Sequence, residues 1–454
     1  MISPRLSEIV KAYDVRGLSP EQLDPRVARA LGEAFADEVG VSGTGSVVIG
    51  HDMRSTSPGL VAAFSDGVRS RGADVIEIGL ASTDLLYFMS GDLDVPGVMI
   101  TASHNPAEYN GIKLCRAGAK PIGFDTGLSA IAVAASKLLE RVAPDPPVLG
   151  AIESRDGLSR YAEYLHQIVP IRAGRRLSVV ADAGNGMAGH TVPSVFASLD
   201  VDLDPMYFEL DGTFPHHDAN PLDHSTLVDL QSRVLSTGAD LGLAFDGDAD
   251  RCFVVDELGQ VVSPSAITGL IAARALADHP GATILHNVIC SRAVPEVVEE
   301  HGGTAVRTPV GHSLIKAEMA RTGAVFGGEH SGHFYFKDFF LADSGMIAAL
   351  HVMAALCETD GTVSEMMAAY DRYPASGEIN STVHDAVGTL AKLADHYRAR
   401  PIDRLDGLTV TADTWWFNVR SSNTEPLLRL NVEADDQPTM ERVRDEVLGL
   451  IRGD

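Results

Sequence analysis

Short apolar runs alternate with helical patterns in the first part of the chain. Residues 46–49, 73–78 and 95–100 are runs of the length and composition of buried strands. Residues 59–71 between them have the spacing of a helix that buries one face. Strands that alternate with helices in this way predict a largely parallel sheet that is covered by helices.

The same rhythm restarts further along the chain. Strand-like runs at 177–181 and 282–286 begin two similar units, so we expect three similar mixed-sheet α/β domains. The proline-rich stretch 143–150 cannot continue a helix and predicts a linker. After Tyr370, short strands and a terminal helix over 439–451 predict a small α+β domain with antiparallel strands. The expected domains are 1–148, 149–255, 256–369 and 370–454.

Composition narrows the possible partners. The chain has 62 acidic and 36 basic residues, so its formal net charge is 36 − 62 = −26. A field of this sign repels phosphates, which argues against general binding of nucleic acid or of an anionic membrane. An anionic ligand would therefore need a local cluster of basic groups. We expect a monomer or a dimer.

The cysteines and the apolar runs indicate a compartment. The four cysteines are scattered, without a CxxC pair or a zinc-binding spacing, which is typical of the reduced cytosol. The first ten residues lack the apolar core of a signal peptide. No uninterrupted apolar run reaches the roughly 18 residues of a membrane span. We expect a soluble, cytoplasmic protein.

The first loop that carries chemistry is TASHNP, residues 101–106. It follows a predicted strand, and ligands of open α/β sheets bind at the carboxyl ends of strands. Ser103 could act there as a nucleophile or a phosphate carrier, with His104 and Asn105 orienting it. The alternative is a turn stabilised by Ser or Asn side chains before Pro106.

The second loop is DGDADR, residues 246–251, between two strand-like segments. Its three carboxylates repel one another unless a cation joins them, and oxygen-only ligation suits Mg²⁺ or Mn²⁺. They are Asp246, Asp248 and Asp250. An EF-hand is excluded because Arg251 stands where its turn needs glycine and because the flanks are strands. A solvated acidic turn remains the alternative.

Two later loops are rich in groups that bind sugars and phosphates. In GGEHSGH, residues 327–333, the side chains of Glu329, Ser331 and His333 alternate, as expected for reading sugar hydroxyls. In RSSNTEP, residues 420–426, one guanidinium, three hydroxyls and an amide could cradle a phosphate. Each loop could also be an ordinary polar turn. Further candidates for local positive charge are Arg16, Lys113, Arg251 and His312.

Taken together and in this order, these four loops resemble those of the α-D-phosphohexomutase superfamily. The resemblance covers essentially the whole chain. It extends to YDVRG at 13–17, GHDMR at 50–54, FPHHDANP at 214–221 and GHSLIK at 311–316. The sequence GE-x-SGH is most similar to the bacterial phosphomannomutase/phosphoglucomutase branch.

The resemblance implies four domains around a central cleft and a phosphohexomutase activity. The implied reaction interconverts mannose 6-phosphate and mannose 1-phosphate through a phosphoserine enzyme and a hexose 1,6-bisphosphate, and glucose phosphates are a further expected substrate. Phosphoglucomutase and phosphoglucosamine mutase are the nearest alternatives. A metal-dependent phosphatase and a non-catalytic phosphosugar-binding protein are the alternatives from other classes.

The resemblance also assigns roles to residues. Ser103 carries the phosphoryl group and, with the three aspartates, binds Mg²⁺, while His104, Arg16 and Arg251 assist. Lys113, with a pKa lowered by cationic surroundings, and His333 are the candidate acid–base groups. The implied substrate-binding residues are Glu329, Ser331, His333, His312, Arg420, Ser421, Ser422, Asn423 and Thr424. Ile289 stands where the family often has a substrate-binding lysine, and Arg292 or Lys316 could replace that charge.

Overall fold

The computed structural model describes residues 1–141, 146–171, 174–421 and 427–453, without the side chains of residues 312 and 313. The predicted linker lies partly outside these residues. The chain forms two compact units. The first comprises Met1–Val262 and Ser331–Met366, and the second comprises Ser263–His330 and Met367–Asp454.

The first sheet of the first unit is mixed. Strands β4, β2, β3 and β7 are parallel to one another, whereas β5 runs antiparallel to β1, β4 and β6. The strand order is β1-β5-β4-β2-β3-β7, with β6 beside β5. The elements are α1 (Pro4–Ile9), β1 (Val15–Leu18), α2 (Pro25–Glu38), β2 (Ser46–His51), α3 (Ser57–Ser70), β3 (Asp74–Leu80), α4 (Thr83–Leu93), β4 (Gly97–Ile100), β5 (Tyr109–Arg116), β6 (Lys120–Pro121), α5 (Leu128–Leu139) and β7 (Ile152–Ser154).

The second sheet has the order β12-β11-β10-β8-β9. Strands β10, β8 and β9 are parallel, and β10 and β11 form an antiparallel hairpin. The elements are α6 (Leu158–Ile168), β8 (Leu177–Asp182), α7 (Ala188–Phe196), β9 (Val201–Met206), α8 (Val228–Thr237), β10 (Leu241–Phe245), β11 (Cys252–Asp256) and β12 (Val261–Val262). This hairpin presents residues 246–251 at the carboxyl end of β10.

The third group of elements is divided between the two units. The second unit holds the parallel strands β13, β14 and β15 with three helices, and the first unit holds an antiparallel pair, β16 and β17, and helix α12. In chain order they are α9 (Pro264–Asp278), β13 (Thr283–Asn287), α10 (Ala293–Glu300), β14 (Thr304–Thr308), α11 (His312–Thr322), β15 (Phe326–Gly328), β16 (Phe334–Phe336), β17 (Ala342–Asp343), α12 (Gly345–Cys357) and α13 (Val363–Met367).

The last sheet is antiparallel throughout, in the order β18-β22-β21-β20-β19. Its elements are β18 (Ile379–Thr382), α14 (Ala386–His396), β19 (Ile402–Asp403), β20 (Leu408–Thr411), β21 (Trp415–Ser421), β22 (Leu427–Ala434) and α15 (Gln437–Arg452). Helix α15 begins two residues before the predicted start because Asp436 caps it, accepting from the Thr439 N–H at 2.8 Å.

The start of one strand and the strand directions of one sheet differ from the predicted pattern for physical reasons. Strand β4 begins at Gly97 instead of residue 95, after Pro96, which has no N–H to donate to a ladder. The first sheet is mixed, as expected of the three α/β domains, and it departs from a largely parallel sheet because β5 runs antiparallel beside β4. Among the described residues, no helix is long and apolar enough to cross a membrane.

Candidate active site

Ser103 stands on a strained turn directly after β4. Its φ is +51°, in the left-handed region that a residue with a side chain rarely adopts. Its N–H donates to the Thr101 hydroxyl at 2.9 Å, and its side chain is buried. Strain of this kind persists only where the surroundings impose it.

Arg54 holds the loop of Ser103 in this backbone conformation through several hydrogen bonds. It is 2% exposed and pairs with Asp52 at 3.2 Å. Its guanidinium donates to four loop carbonyls, those of Ser103, Asn105, Pro106 and Tyr109, at 2.6–2.9 Å. In the sequence, Arg54 stands out only as the last residue of the GHDMR motif, and its position just after a predicted strand is the signal that could have identified it.

The acidic triad, Asp246, Asp248 and Asp250, lies beside this loop. All three residues are buried, and one carboxylate oxygen from each lies within 4.8 Å of the others. The Ser103 hydroxyl donates to Asp246 Oδ2 at 2.8 Å. The close approach requires glycine at 247, since a Cβ there would overlap the Ser103 carbonyl oxygen.

Lys113 lies among carboxylates, which contradicts the cationic surroundings expected for it. Its Nζ lies 2.6 Å from both Asp248 Oδ2 and Asp250 Oδ2. Burial alone would lower the pKa of Lys113, but these two carboxylates raise it well above the ordinary value. The expected lowered pKa is therefore wrong, because the neighbouring charges are negative.

The triad carboxylates respond differently to burial. Burial raises the pKa of Asp246 to about 7, although Arg251 opposes this shift. Burial also acts to raise the pKa of Asp248, but the Lys113 ammonium holds it below its ordinary value. Burial thus acts against the ionised form of Asp246, whereas the Lys113 ammonium favours the ionised form of Asp248.

The triad fits a divalent cation by an observation independent of its composition. Asp248 Oδ1 and Asp250 Oδ1 are buried and form no hydrogen bond with any described residue. Buried acceptors without partners are costly, and a hard cation satisfies carboxylate oxygens directly. These residues are therefore compatible with a bound metal ion.

Basic groups surround the Ser103 hydroxyl. Arg251 Nε donates to Asp246 Oδ2 at 2.9 Å, and its Nη2 lies 3.5 Å from Ser103 Oγ. His104 Nδ1 lies 3.1 Å from Ser103 Oγ and also contacts Arg251 Nη2. Burial, with Arg251 and Arg16, lowers the pKa of His104 well below its ordinary value, so this ring is neutral.

Arg16 reaches the other side of the serine loop. It donates to Asp14 at 2.7 Å and to the amide oxygen of Asn105 at 2.5 Å. Burial acts to lower the pKa of Arg16, but Asp14 raises it above the ordinary value. Arg16 therefore provides a permanent positive charge near Ser103.

His333 belongs to the same unit and faces the triad. Its Nε2 lies 3.6 Å from Asp250 Oδ1 and 3.9 Å from Asp343 Oδ2, and its Nδ1 lies 3.0 Å from Ser331 Oγ. Asp343 was missed by the sequence analysis. The register of β16 with β17, which pairs Tyr335 with Asp343, brings it here.

Glu329 lies in the second unit and is held in place by polar groups. It is 2% exposed, and its Oε1 accepts from the Gly311 N–H at 3.0 Å and from the Asn287 amide at 3.3 Å. Ile289, at the place of the expected lysine, is buried. Lys316 is also buried.

Arg292, the other candidate to replace the missing lysine, has partners in the last sheet. Its Nε lies 3.7 Å from Glu433, its Nη2 contacts Asp435, and its guanidinium lies 3.8 Å from the centre of the Tyr373 ring. These contacts hold the Arg292 guanidinium against the last sheet.

Arg420 also lies in the second unit, on β21. It pairs with Glu378 at 2.8 Å, and Arg429, directly opposite on β22, reaches the same carboxylate at 3.2 Å. The sequence analysis missed Arg429. Ser421 is exposed. Ser422, Asn423 and Thr424, and the side chain of His312, lie outside the described residues.

Comparison with known families covers the chain in four parts. Residues 7–138, 159–259 and 263–373 match the α/β/α domains I, II and III of phosphoglucomutase/phosphomannomutase, and residues 378–450 match its C-terminal domain. The chain is thus a multidomain protein with three α/β domains and a C-terminal α+β domain, and the predicted fold class is confirmed. The four matches together define the phosphoglucomutase/phosphomannomutase family, and the chain belongs to it.

Individual relatives agree along nearly their whole length. The chain is 40% identical over 452 residues to the phosphohexose mutases of Xanthomonas campestris pv. campestris (strain B100), covering 98% of this chain and 99% of the relative. It is 39% identical over 457 residues to the phosphomannomutase of Escherichia coli (strain K12), covering 97% and 98%. A Pseudomonas putida phosphomannomutase/phosphoglucomutase is 35% identical over 446 residues, covering 96% and 94%.

A solved structure gives the same result. The phosphoglucomutase/phosphomannomutase family protein from Burkholderia thailandensis matches with a TM-score of 0.87 and 32% identity, covering 100% of this chain and 98% of that one. The chain is accordingly a phosphohexomutase, an intramolecular phosphotransferase of the isomerase class.

Proposed function

We propose that this phosphohexomutase interconverts mannose 6-phosphate and mannose 1-phosphate and also acts on glucose phosphates. The names of its relatives support both substrates, since one is called a phosphomannomutase and another a phosphomannomutase/phosphoglucomutase. The proposed domains, divided after residues 148, 255 and 369, separate the work. The first two would carry the chemistry, and the last two would read the sugar and its phosphate.

The observation that carries the proposal is the 2.8 Å hydrogen bond from Ser103 Oγ to Asp246 Oδ2. It puts a hydroxyl on the buried acidic triad, with Arg251 against the same carboxylate. Binding alone would not require a serine held in a strained backbone there. The arrangement supports a serine that alternates between free and phosphorylated forms.

Mg²⁺ is the proposed ion of the triad. Asp246, Asp248 and Asp250 would hold it, with an oxygen of phosphorylated Ser103. When bound, it would offset the negative charge of the phosphoryl group, which phosphoryl transfer needs more than covalent help. Arg251, Arg16 and Lys113 would supply the remaining positive charge.

The proposed reaction has two phosphoryl transfers. In the first, the bond between Ser103 Oγ and phosphorus breaks as one forms to the free hydroxyl of a hexose monophosphate, giving a hexose 1,6-bisphosphate. The sugar then reverses its orientation. In the second transfer, its other phosphate returns to Ser103, and the isomeric monophosphate leaves.

Each transfer also moves one proton. The attacking hydroxyl loses a proton, and the departing Ser103 oxygen gains one, so protons balance over a transfer. His333 is the proposed acceptor of the sugar proton. Lys113 is proposed as a cationic group, because its carboxylate neighbours favour its charged form.

Substrate recognition is assigned to groups that suit either orientation of the sugar. Glu329 would accept hydrogen bonds from sugar hydroxyls, and Ser331 would donate to them or accept from them. Arg420, with Ser421, Ser422, Asn423, Thr424 and His312, would hold the phosphate that is not reacting. A phosphate needs several donors, which fits this set.

The compartment proposed for this reaction is the cytoplasm. The four cysteines are free, and three of them are buried. Thiols without disulfides are typical of proteins in reducing surroundings.

The test is turnover of three substrates by the purified full chain, namely mannose 1-phosphate, glucose 1-phosphate and glucosamine 6-phosphate. We expect the first two to isomerise, and preference for the third would overturn the substrate assignment. Release of inorganic phosphate without isomerisation would instead make the protein a phosphatase.

Mass measurement tests the phosphoserine directly. Incubation with hexose 1,6-bisphosphate should add one phosphoryl group, which peptide mapping should assign to Ser103. Ser103→Ala should carry none and should not isomerise sugar phosphates. The control is Ser65→Ala, which removes a hydroxyl of α3 that donates to Glu77 at 3.1 Å, away from the site. A phosphoryl group on another residue, or isomerisation by Ser103→Ala, would contradict the proposal.

A further inference from the structure

Helix α4 begins with two polar residues that reach different parts of the first unit. Ser82 caps the helix, accepting from the Leu85 N–H at 3.2 Å. Thr83 and Asp84 follow as its first two residues, and both are buried. Neither residue is among the groups assigned to the reaction.

Thr83 holds one ligand of the acidic triad at two points. Its hydroxyl donates to Asp248 Oδ2 at 2.5 Å, and its N–H donates to the Asp248 carbonyl oxygen at 2.9 Å. Lys113 donates to the same Oδ2. Both of these side-chain hydrogen bonds fall on Oδ2, and Oδ1 has none within the described residues, which leaves Oδ1 for a cation.

Asp84 holds the segment that follows β17. Its Oδ2 accepts from the Ser344 and Tyr161 hydroxyls, each at 2.6 Å, and its Oδ1 accepts from Ser82. The Ser344 N–H donates to the Phe334 carbonyl oxygen at 3.0 Å. Asp84 thus holds Ser344, which directly follows Asp343. Ser344 is in turn hydrogen-bonded to Phe334, the residue next to His333.

The same segment packs on the loop of the triad. Gly345 follows Ser344, and a Cβ there would lie 2.6 Å from the backbone of Arg251. Ser344 therefore connects Asp84 to two features at once, the pair of strands that carries His333 and the end of the acidic loop.

We propose that Thr83 and Asp84 are positioning residues that align the two halves of the reaction centre. Thr83 orients Asp248 toward the metal, and Asp84 sets His333 and Asp343 relative to the acidic triad. The inference deepens the proposed function and rests on it. Two adjacent residues of one rigid helix would thereby fix the distance between the metal and the acid–base group.

The first arm tests Thr83 by direct binding of Mn²⁺, measured by calorimetry or electron paramagnetic resonance. Thr83→Val should raise the Kd about tenfold, since outer-shell partners of metal ligands typically contribute this much. Thr83→Ser keeps the hydroxyl and should restore wild-type binding. The control is Ser90→Ala, which removes another buried hydroxyl of α4, one that donates to Val95. Equal Mn²⁺ affinity of Thr83→Val and wild type would overturn this half.

The second arm tests Asp84 by kinetics. Asp84→Asn should lower kcat about tenfold and leave KM and the Mn²⁺ Kd close to wild type, because it misplaces His333 without touching substrate or metal. Ser344→Ala should act similarly, and the double variant should lose no more than either single one, since both break the same contact. Tyr161→Phe, which keeps the Ser344 contact, should retain more activity.

The outcomes separate this inference from the proposed function. A lower melting temperature of Asp84→Asn with unchanged kcat, or additive losses in the double variant, would reduce Asp84 to a structural residue. Failure of the wild-type chain to isomerise any hexose phosphate would instead overturn the proposed function. The Mn²⁺ measurement of Thr83→Val would still stand in that case.

Discussion

The two regions that would handle phosphate compensate their charges differently. Around Ser103, the cationic side chains of Arg16, Lys113 and Arg251 are each paired with a buried carboxylate. Lys113 contacts two carboxylates, and Arg251 contacts a third. In the second unit, the arginine pair, Arg420 and Arg429, shares one carboxylate, that of Glu378. The Nε atoms of both arginines form no hydrogen bond within the described part of the chain.

This difference in charge compensation indicates that one region serves catalysis and the other serves substrate binding. A region whose charges are fixed by buried partners is organised in advance, as electrostatic stabilisation of a transition state requires. A region with two cations and one shared anion keeps positive charge available for an incoming phosphate. We therefore expect substitutions near Ser103 to change kcat and substitutions near Arg420 to change KM.

The largest expected effect comes from Asp246→Asn. The amide keeps the size of the side chain but removes the charge that faces Arg251 and the metal. Loss of one such electrostatic contact typically lowers kcat by about 10² to 10³. Steady-state kinetics at saturating substrate measure it.

Its matched control lies on the same strand pair. Asp256→Asn changes a carboxylate at the end of β11 whose Oδ1 accepts from the Leu258 and Gln260 N–H groups of the following turn. A kcat of Asp246→Asn equal to that of Asp256→Asn would contradict the division between the two regions.

Arg54→Lys should have the next largest effect, on stability. A lysine ammonium cannot donate hydrogen bonds to all four carbonyl oxygens that the Arg54 guanidinium reaches. It also forms a weaker ion pair with Asp52. Breaking a buried ion pair typically costs about 3 kcal/mol. Chemical denaturation should show the lower free energy of unfolding. Arg69→Lys is the control, since Arg69 is only partly buried and donates to Gly150. An equal loss of unfolding free energy in both variants would contradict the inference that Arg54 stabilises the Ser103 loop.

Much of the first region could be predicted from the sequence because its chemistry is local. The strand before Ser103 and the alternate aspartates of 246–251 are visible in a few residues each, and both lie at strand ends as expected. The charges that compensate the triad, and the residues that hold its carboxylates, come from distant parts of the chain and could not be predicted in this way. Thr83 lies 165 positions from Asp248, and only the packing of α4 against the loop joins them.

The wrong expectation for Lys113 has the same origin. The sequence offers several basic residues as candidates for the same site, and cationic surroundings for Lys113 are expected on that basis. The pairing of β4 with β5, which puts Met99 opposite Lys113, instead directs its ammonium toward the triad. The sign of a pKa shift depends on such tertiary contacts, which composition does not contain.

Arg429→Met tests the second region, with a smaller effect. Removing one of two cations should raise KM for hexose phosphates about 10- to 100-fold and leave kcat nearly unchanged, since hydrogen bonds to charged groups contribute about 1.5–3 kcal/mol. The control is Arg442→Met, which removes an exposed arginine of α15. A fall in kcat with unchanged KM would show that the two regions do not divide the work as inferred.

The smallest expected effect distinguishes the regions by pH. His217 Nε2 lies 3.0 Å from Asp182 Oδ2, at the end of the strand that pairs with β10. Burial acts to lower the pKa of His217, but Asp182 raises it above its ordinary value. The pair should therefore stabilise the fold fully below about pH 6.5, and lose this contribution as pH rises through the raised pKa.

His217→Gln should thus lower the free energy of unfolding at pH 6 by about 0.5 kcal/mol, a small value because the pair is partly exposed and screened. The difference from wild type should shrink as the pH rises above 7. His216→Gln is the matched control, since the adjacent His216 contacts the neutral amide of Asn185 at 2.8 Å. A difference that grows with pH would mean that His217 is held neutral, and the charge of Asp182 would then be compensated by other groups.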